Sequence, residues 1–139
     1  MAIRQVGALP IRKLRGGGLE VLLVSSRETG RWVIPKGWPA KRLSDAKAAA
    51  REARQEAGVT GKISELPIGS YRYRKRMPGG LVRVIDVDVY VLRVKKQRKS
   101  WREKRERKRV WFPQDEAAKK VREPRLRALI SDFRVASDL

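Results

Sequence analysis

Glu52 and Glu56 stand four residues apart in a segment, Asp45–Ala57, that carries no glycine, proline or β-branched residue. On a helix that spacing puts both carboxylates on one face, with Gln55 beside them. Two carboxylates presented to a cleft in a basic protein form a hard-oxygen site suited to Mg²⁺ or Mn²⁺. The loop before the helix contains Gly37 and can bring backbone carbonyls to the same ion. The sequence has no histidine and no cysteine. That excludes Ser-His-Asp triads, thiol nucleophiles, zinc–thiolate centres and histidine metal sites. Metal-activated water is then the natural nucleophile, and phosphoryl chemistry its natural use. Spacing alone favours a plainer role, in which the two glutamates pair with Lys47, Arg51 or Arg54 on a solvated helix face, since such surface pairs are common.

Charge is the second chemical signal. Lysine and arginine number 35 against 15 acids in 139 residues, a formal net charge of +20. Such a surface attracts polyanions: nucleic acid, anionic lipid or multiply phosphorylated small molecules. Ser25, Ser26 and Arg27 end an apolar run, and Lys36 adjoins Gly37. Arg72, Arg74 and Arg76 alternate with Tyr71 and Tyr73, so the three arginines share one strand face. Arginine forks match phosphate oxygens, and as a cluster these cations point to a polyphosphate site. Lys95–Arg109 differs in kind, with ten basic residues in fifteen. A run of that type also holds a nucleic-acid backbone without reading its sequence. Trp101 within it is either a stacking platform or a packed anchor.

These residues need a scaffold. Gln5–Ile11 and Leu19–Ser25 have strand length and flank a Gly16-Gly17-Gly18 turn; Arg31–Ile34 is a short extended piece before Pro35. Ser44 is placed to cap a helix over Asp45–Ala57, Asp45 complements its dipole, and Gly58 is a suitable stop. Ala46, Ala49, Ala50, Ala53 and Ala57 give this helix a small-residue face for close packing on a sheet. Val59–Leu66, Ile68–Met77 and Leu81–Val94 read as strands, followed by a short one at Val110-Trp111-Phe112. Asp86 and Asp88 share a strand face and suit pairing with basic neighbours. Trp32, Trp38 and Trp111 are expected in the core or in cleft walls. Gln114–Val121 and a segment from Pro124 are helical, the latter with Leu126, Leu129, Ile130 and Phe133 as its apolar stripe. Length, and the lack of repeats or linkers, predict one mixed α/β domain over residues 1–139. No apolar run approaches the ~20 residues of a spanning helix, and no secretory core follows the N-terminus. A cytoplasmic protein without membrane contact is expected.

Gly37–Val59, GWPAKRLSDAKAAAREARQEAGV, resembles the Nudix box. In that pattern a glycine, five residues, a glutamate and seven residues precede R-E-U-x-E-E-x-G-U, where U is bulky and apolar. Gly37, Arg51, Glu52, Glu56, Gly58 and Val59 fall on it in register, whereas Leu43 replaces its first glutamate and Gln55 the first of its glutamate pair. Ala53 is small at an apolar position. The resemblance implies a Nudix fold, a mixed β-sheet sandwiched between helices in an α/β/α arrangement. It also implies hydrolysis of a nucleoside or inositol diphosphate linked to another group. On this reading Glu52, Glu56 and Arg51 are catalytic, and Gly37, Glu52 and Glu56 hold Mg²⁺ or Mn²⁺, with Gln55 and Glu103 as further candidates. Glu103 and Glu106 lie where many members of the family supply an extra ligand or a general base. An amide carries no charge and cannot act as a base, so Gln55 implies a weakened metal site.

Two further stretches, Val21–Gly37 and Arg107–Phe112 with the following Glu116-Ala117, are similar to the diphosphoinositol polyphosphate phosphohydrolase branch, which also takes diadenosine polyphosphates. That similarity implies Ser26, Arg27, Lys36, Arg74 and Arg109 as substrate contacts. The expected function is a metal-dependent pyrophosphohydrolase acting on a polyphosphorylated small molecule. The alternative is an RNA- or polyanion-binding protein on a degenerate, weakly active Nudix scaffold, with nucleic acid held along Lys95–Arg109.

Overall fold

The computed structural model describes residues 3–135. Its elements run β1 (Ile3–Lys13), β2 (Leu19–Ser25), β3 (Trp32–Val33), β4 (Lys36–Gly37), α1 (Asp45–Ala57), β5 (Val59–Ile63), β6 (Gly69–Arg76), β7 (Val82–Gln97), β8 (Arg109–Pro113), α2 (Gln114–Lys120) and α3 (Pro124–Asp132). All eight strands join one mixed sheet. β1 runs parallel to β7 from Ile3↔Ile85 to Ile11↔Arg93 and antiparallel to β2 and β4. β7 also pairs β6 through its first half and β5 through its last residues.

Strand alternation sets the layers. Leu9, Ile11, Val21, Leu23, Ile85, Val87, Val89 and Val91 point to one face, where Ala117, Val121, Leu126 and Ile130 of α2 and α3 cover them. Val6, Ala8, Leu22, Val24, Tyr90 and Leu92 point to the other, beneath the alanines of α1. The sheet is thus sandwiched between helices, as the box implied.

α1 begins where Ser44 Oγ accepts the Lys47 amide at 3.2 Å. It ends at Gly58, whose φ of 67° is left-handed and whose amide reaches Ala53 O and Arg54 O. Ala46, Ala48, Ala49, Ala53 and Ala57 are its buried alanines, while Ala50 is half-buried. The buried face is therefore centred nearer Ala48 than the spacing suggested.

Three strands, β1, β5 and β7, end two or more residues from where expected, and Lys36–Gly37, expected in a loop, forms β4. β1 is longer at both ends than Gln5–Ile11, because pairing with β7 and β2 extends it. β5 stops at Ile63, where Ser64 Oγ takes the Val91 amide at 3.0 Å. The basic run is not one unit: Lys95–Gln97 complete β7 opposite β5, a loop follows, and Arg109 starts β8. Among the described residues no helix is long and apolar enough to cross a membrane.

Candidate active site

β4 is only two residues long, yet it places Gly37. Val6 and Gly7 of β1 hold it in antiparallel register, and Ala8 N donates to Pro35 O at 3.0 Å. α1 lies close to the sheet because its inner face is alanine, so Glu52 comes up against Gly37. A Cβ at Gly37 would stand within 3.0 Å of all three carboxylate-end atoms of Glu52. Glycine there makes room for the acid.

Glu52, Glu56 and Glu103 line a cleft of about 370 Å³ together with Gly37, Lys36, Arg51 and Arg107. The first two glutamates are not engaged with Lys47, Arg51 or Arg54, so the solvated-face reading does not hold. Among the described residues no hydrogen bond or ion pair engages Glu52. Glu56 is 5% exposed, and its Oε1 accepts the Lys36 amide at 3.4 Å. Burial pushes its carboxyl up to about 8, against the opposing pull of Arg107 and Lys36. Burial likewise lowers the Lys36 ammonium to about 8, with Glu56 pulling the other way. In both, burial disfavours the charged form more than the facing partner restores it.

Arg107 ties the acids together. Its guanidinium meets Glu103 Oε1 at 2.7 Å and Glu56 Oε1 at 3.7 Å, and Nη1 donates to Ser25 O at 3.1 Å. Glu103 N in turn donates to Gln55 O at 3.1 Å, tying the β7–β8 loop to α1. Gln55 contributes that backbone carbonyl; its amide does not line the cleft. Arg51 does line it, and its Nε is buried without a hydrogen-bond partner.

A second cleft, about 520 Å³, continues from the first, with Arg27, Lys36, Tyr73, Lys75 and Arg107 lining both. Its wall adds Ser26, Arg31, Arg74, Arg76 and Arg122, against a single acid, Glu28. Some of this charge is balanced internally: Arg31 pairs with the buried Glu123 at 2.8 Å and Arg27 with Glu106 at 3.4 Å. Arg74, Lys75, Arg76 and Arg122 have no ion pair among the described residues.

Of the residues expected at the site, Glu52, Glu56, Arg51, Gly37, Lys36, Arg27, Ser26, Arg74 and Glu103 all line these two clefts. Arg109 does not. It caps α1, donating to Ala57 O at 2.9 Å and Arg98 O at 2.6 Å, with its guanidinium 3.8 Å from the Trp101 ring centre. Trp101 Nε1 donates to Glu56 O at 3.1 Å, so this tryptophan is a packed anchor. Arg72 turns to Asp86 at 2.7 Å, and Asp88 lies 3.5 Å from Arg4. Arg107 and Lys75 were missed. The parity of β6 carries a signal for Lys75, which shares a face with Tyr73, and the Glu103–Arg107 spacing of four carries one for Arg107.

Among the described residues no three acidic side chains converge on a metal-holding point. Two carboxylates, one of them unengaged beside a glycine, still fit Mg²⁺ or Mn²⁺, since such ions are held by one or two acids plus waters and substrate phosphates.

The NUDIX domain family matches residues 1–133. The chain belongs to the Nudix family. Nudix hydrolase 21, chloroplastic, of Arabidopsis thaliana is 34% identical over 131 residues, covering 92% of this chain and 64% of the relative. Diphosphoinositol polyphosphate phosphohydrolase 3-beta of Bos taurus is 37% identical over 103 residues, covering 72% and 58%. The chain therefore spans less than two thirds of the length of these two relatives. Its Nudix fold also matches a C. elegans Ap4A hydrolase binary complex, with TM-score 0.66, 22% identity and 93% of each chain covered. Nudix hydrolases generally use divalent metals such as Mg²⁺ or Mn²⁺, and the acid pair of α1 falls in the segment that resembles the family's box.

Proposed function

We propose that this Nudix domain is a metal-dependent pyrophosphohydrolase that cleaves a phosphoanhydride bond in a polyphosphorylated small molecule. The observation that carries the reading is continuity: the cleft of Glu52 and Glu56 opens into a cationic wall in which Arg74, Lys75, Arg76 and Arg122 have no acid partner among the described residues. Glu52 and Glu56, with backbone from Gly37 of β4, would hold the ion. When bound there, a divalent cation supplies Lewis-acid polarisation of phosphoryl oxygens.

The chain's own residues do the rest. Arg74, Lys75, Arg76 and Arg122 hold the phosphates that do not react. Lys36, Arg51 and Arg107 face the charge that develops on the anhydride oxygens. Glu103 has one oxygen held by Arg107 and the other available to take a proton from the attacking water. The names of the bovine diphosphoinositol polyphosphate phosphohydrolase and the nematode Ap4A hydrolase agree with a substrate rich in phosphates.

The test is a panel of diphosphoinositol polyphosphates, diadenosine polyphosphates and capped RNA with Mg²⁺ or Mn²⁺, scored by released phosphate or nucleotide. Metal-dependent release, lost with chelator, is the expected result. A second reading, polyanion binding, draws on the exposed cations Lys95, Lys96, Arg98, Lys99, Arg102, Lys104, Arg105 and Lys108. A metal-independent RNA affinity above every small-molecule affinity, falling with each of these charges removed, would overturn the enzyme reading.

A further inference from the structure

α3 ends at Asp132, but the sheet face beneath it runs on. Ile11 and Val91 carry that face toward Arg93 and Lys62, and Phe133, which follows the helix, packs against it. Between them lies a cavity of about 210 Å³ that shares no lining residue with the two clefts of the candidate active site. Its wall is apolar, formed by Ile11, Ile63, Ile68, Val91, Phe133 and Val135. The one hydroxyl in the wall, Ser64 Oγ, is already engaged: it donates to Leu66 O at 2.9 Å and accepts the Val91 amide at 3.0 Å.

Lys13, Lys62 and Arg93 complete the lining, and no acid contributes to it. Lys62 of β5 and Arg93 of β7 are cross-strand partners, and like charges placed directly opposite one another repel. Neither has an ion pair among the described residues, and the exposed Glu65 nearby pairs with neither. The folded chain loses stability at this pair, and an anion bound between the two cations would restore it. An aliphatic wall beside two unbalanced cations matches a molecule with the same two parts, an anionic head on an apolar tail. The cavity is smaller than the ~300–1,000 Å³ of sites for drug-sized molecules, so the tail is short. A phosphate-rich molecule does not suit it, because several charges would be buried against hydrocarbon. We propose that this cavity is a binding site for a short-chain aliphatic carboxylate, with its tail among Ile68, Val91 and Phe133 and its head between Lys62 and Arg93. The site is independent of the pyrophosphohydrolase reading and is tested by binding alone.

The experiment is titration of the full chain with butanoate, hexanoate and octanoate, followed by calorimetry and by methyl NMR. Octanoate should bind as a single molecule per chain and shift the methyl resonances of Ile11, Ile63, Ile68 and Val91. Affinity should rise about fourfold for each added methylene, the transfer free energy of a buried CH₂. Octanol, with the same tail and no charge, should bind at least about tenfold more weakly, and Lys62→Gln and Arg93→Gln should each lower octanoate affinity by a similar factor. Each substitution also relieves the repulsion between the two cations, so the melting temperature of the protein alone should stay level or rise. That separates a lost ligand contact from a lost fold. Lys95→Gln, at an exposed cation outside the cavity, should leave the affinity unchanged. Equal binding of octanol and octanoate, an affinity that falls as much with Lys95→Gln as with Lys62→Gln, or no shift at those methyls overturns the proposal. Binding only by a chain that ends at Val135 assigns the cavity to residues 136–139 and overturns it as well.

Discussion

The carboxylate of Glu52 occupies the space that a Cβ of Gly37 would need. A helix acid and a strand glycine, fifteen positions apart, thus form one structural unit. Gly37→Ala should displace the carboxylate, since neither β4, held by β1, nor α1, packed on the sheet, can retreat. Mg²⁺ affinity and turnover should fall by about 10- to 100-fold, as when a residue that orients a metal ligand is changed. Far-UV circular dichroism should remain unchanged. Metal titration on the variant checks this.

Glu52→Gln and Glu56→Gln should each lower turnover by about a hundredfold or more at saturating Mg²⁺, the scale on which lost electrostatic stabilisation is felt. Glu65→Gln, at an exposed position after β5, should leave it within about twofold, in line with the small effect of surface changes. Near-normal turnover in both helix variants would show that the ion, or the chemistry, lies elsewhere.

Burial holds the folded Glu56 carboxyl at about 8, against 4.5 for the free group. Between these values the unfolded chain binds fewer protons than the folded one, so stability falls as pH rises. In chelator, the melting temperature should therefore drop from about pH 5 to pH 8, and Glu56→Gln should remove that part of the drop. Lys36 acts in the next window: its pKa is lowered from 10.5 to about 8, so its contribution to stability rises with pH between them. Mg²⁺ favours the ionised carboxyl, so its stabilising effect should grow through the Glu56 window. Thermal melts across pH, with and without Mg²⁺, read all three.

Arg107 is only 10% exposed at its side chain and bridges Glu56, Glu103 and Ser25 O. Arg107→Ala should destabilise the fold by about 2–3 kcal/mol, because it leaves buried acceptors without their donor. Arg107→Lys should recover little, since one ammonium cannot replace a planar fork with three partners. Urea denaturation midpoints for the two variants test this.

Arg109 and Lys36 should separate cleanly. Arg109→Ala removes hydrogen bonds at the end of α1 and the contact with Trp101. It should cost about 1–3 kcal/mol of stability, with KM changed less than about twofold. Lys36→Ala should instead lower kcat by about tenfold, the value of one lost charge-assisted hydrogen bond to the charge that develops. Steady-state kinetics beside thermal melts distinguish the two roles.

Local chemistry made much of this protein readable from its residues. Ser44 and Gly58 bound α1 through capping and a left-handed φ, both properties of a few adjacent residues. The near-continuous apolar run of β2 suits a strand buried on both faces, and helices cover both. The spacing of Glu52 and Glu56 put them together because a helix repeats every 3.6 residues. Contacts between distant segments were decided only on folding. Arg107 enters the acid cleft while Arg109, two residues on and chemically identical, caps a helix, because β8 starts at Arg109 and pairs with β2. Whether Trp38 is core or rim, and whether Gln55 contributes its amide or its carbonyl, likewise depends on which neighbour the fold delivers. A side chain's type and spacing limit the chemistry it can do. Its solvent exposure and its partner come from segments elsewhere in the chain, and here those decided which of the many cations line the clefts.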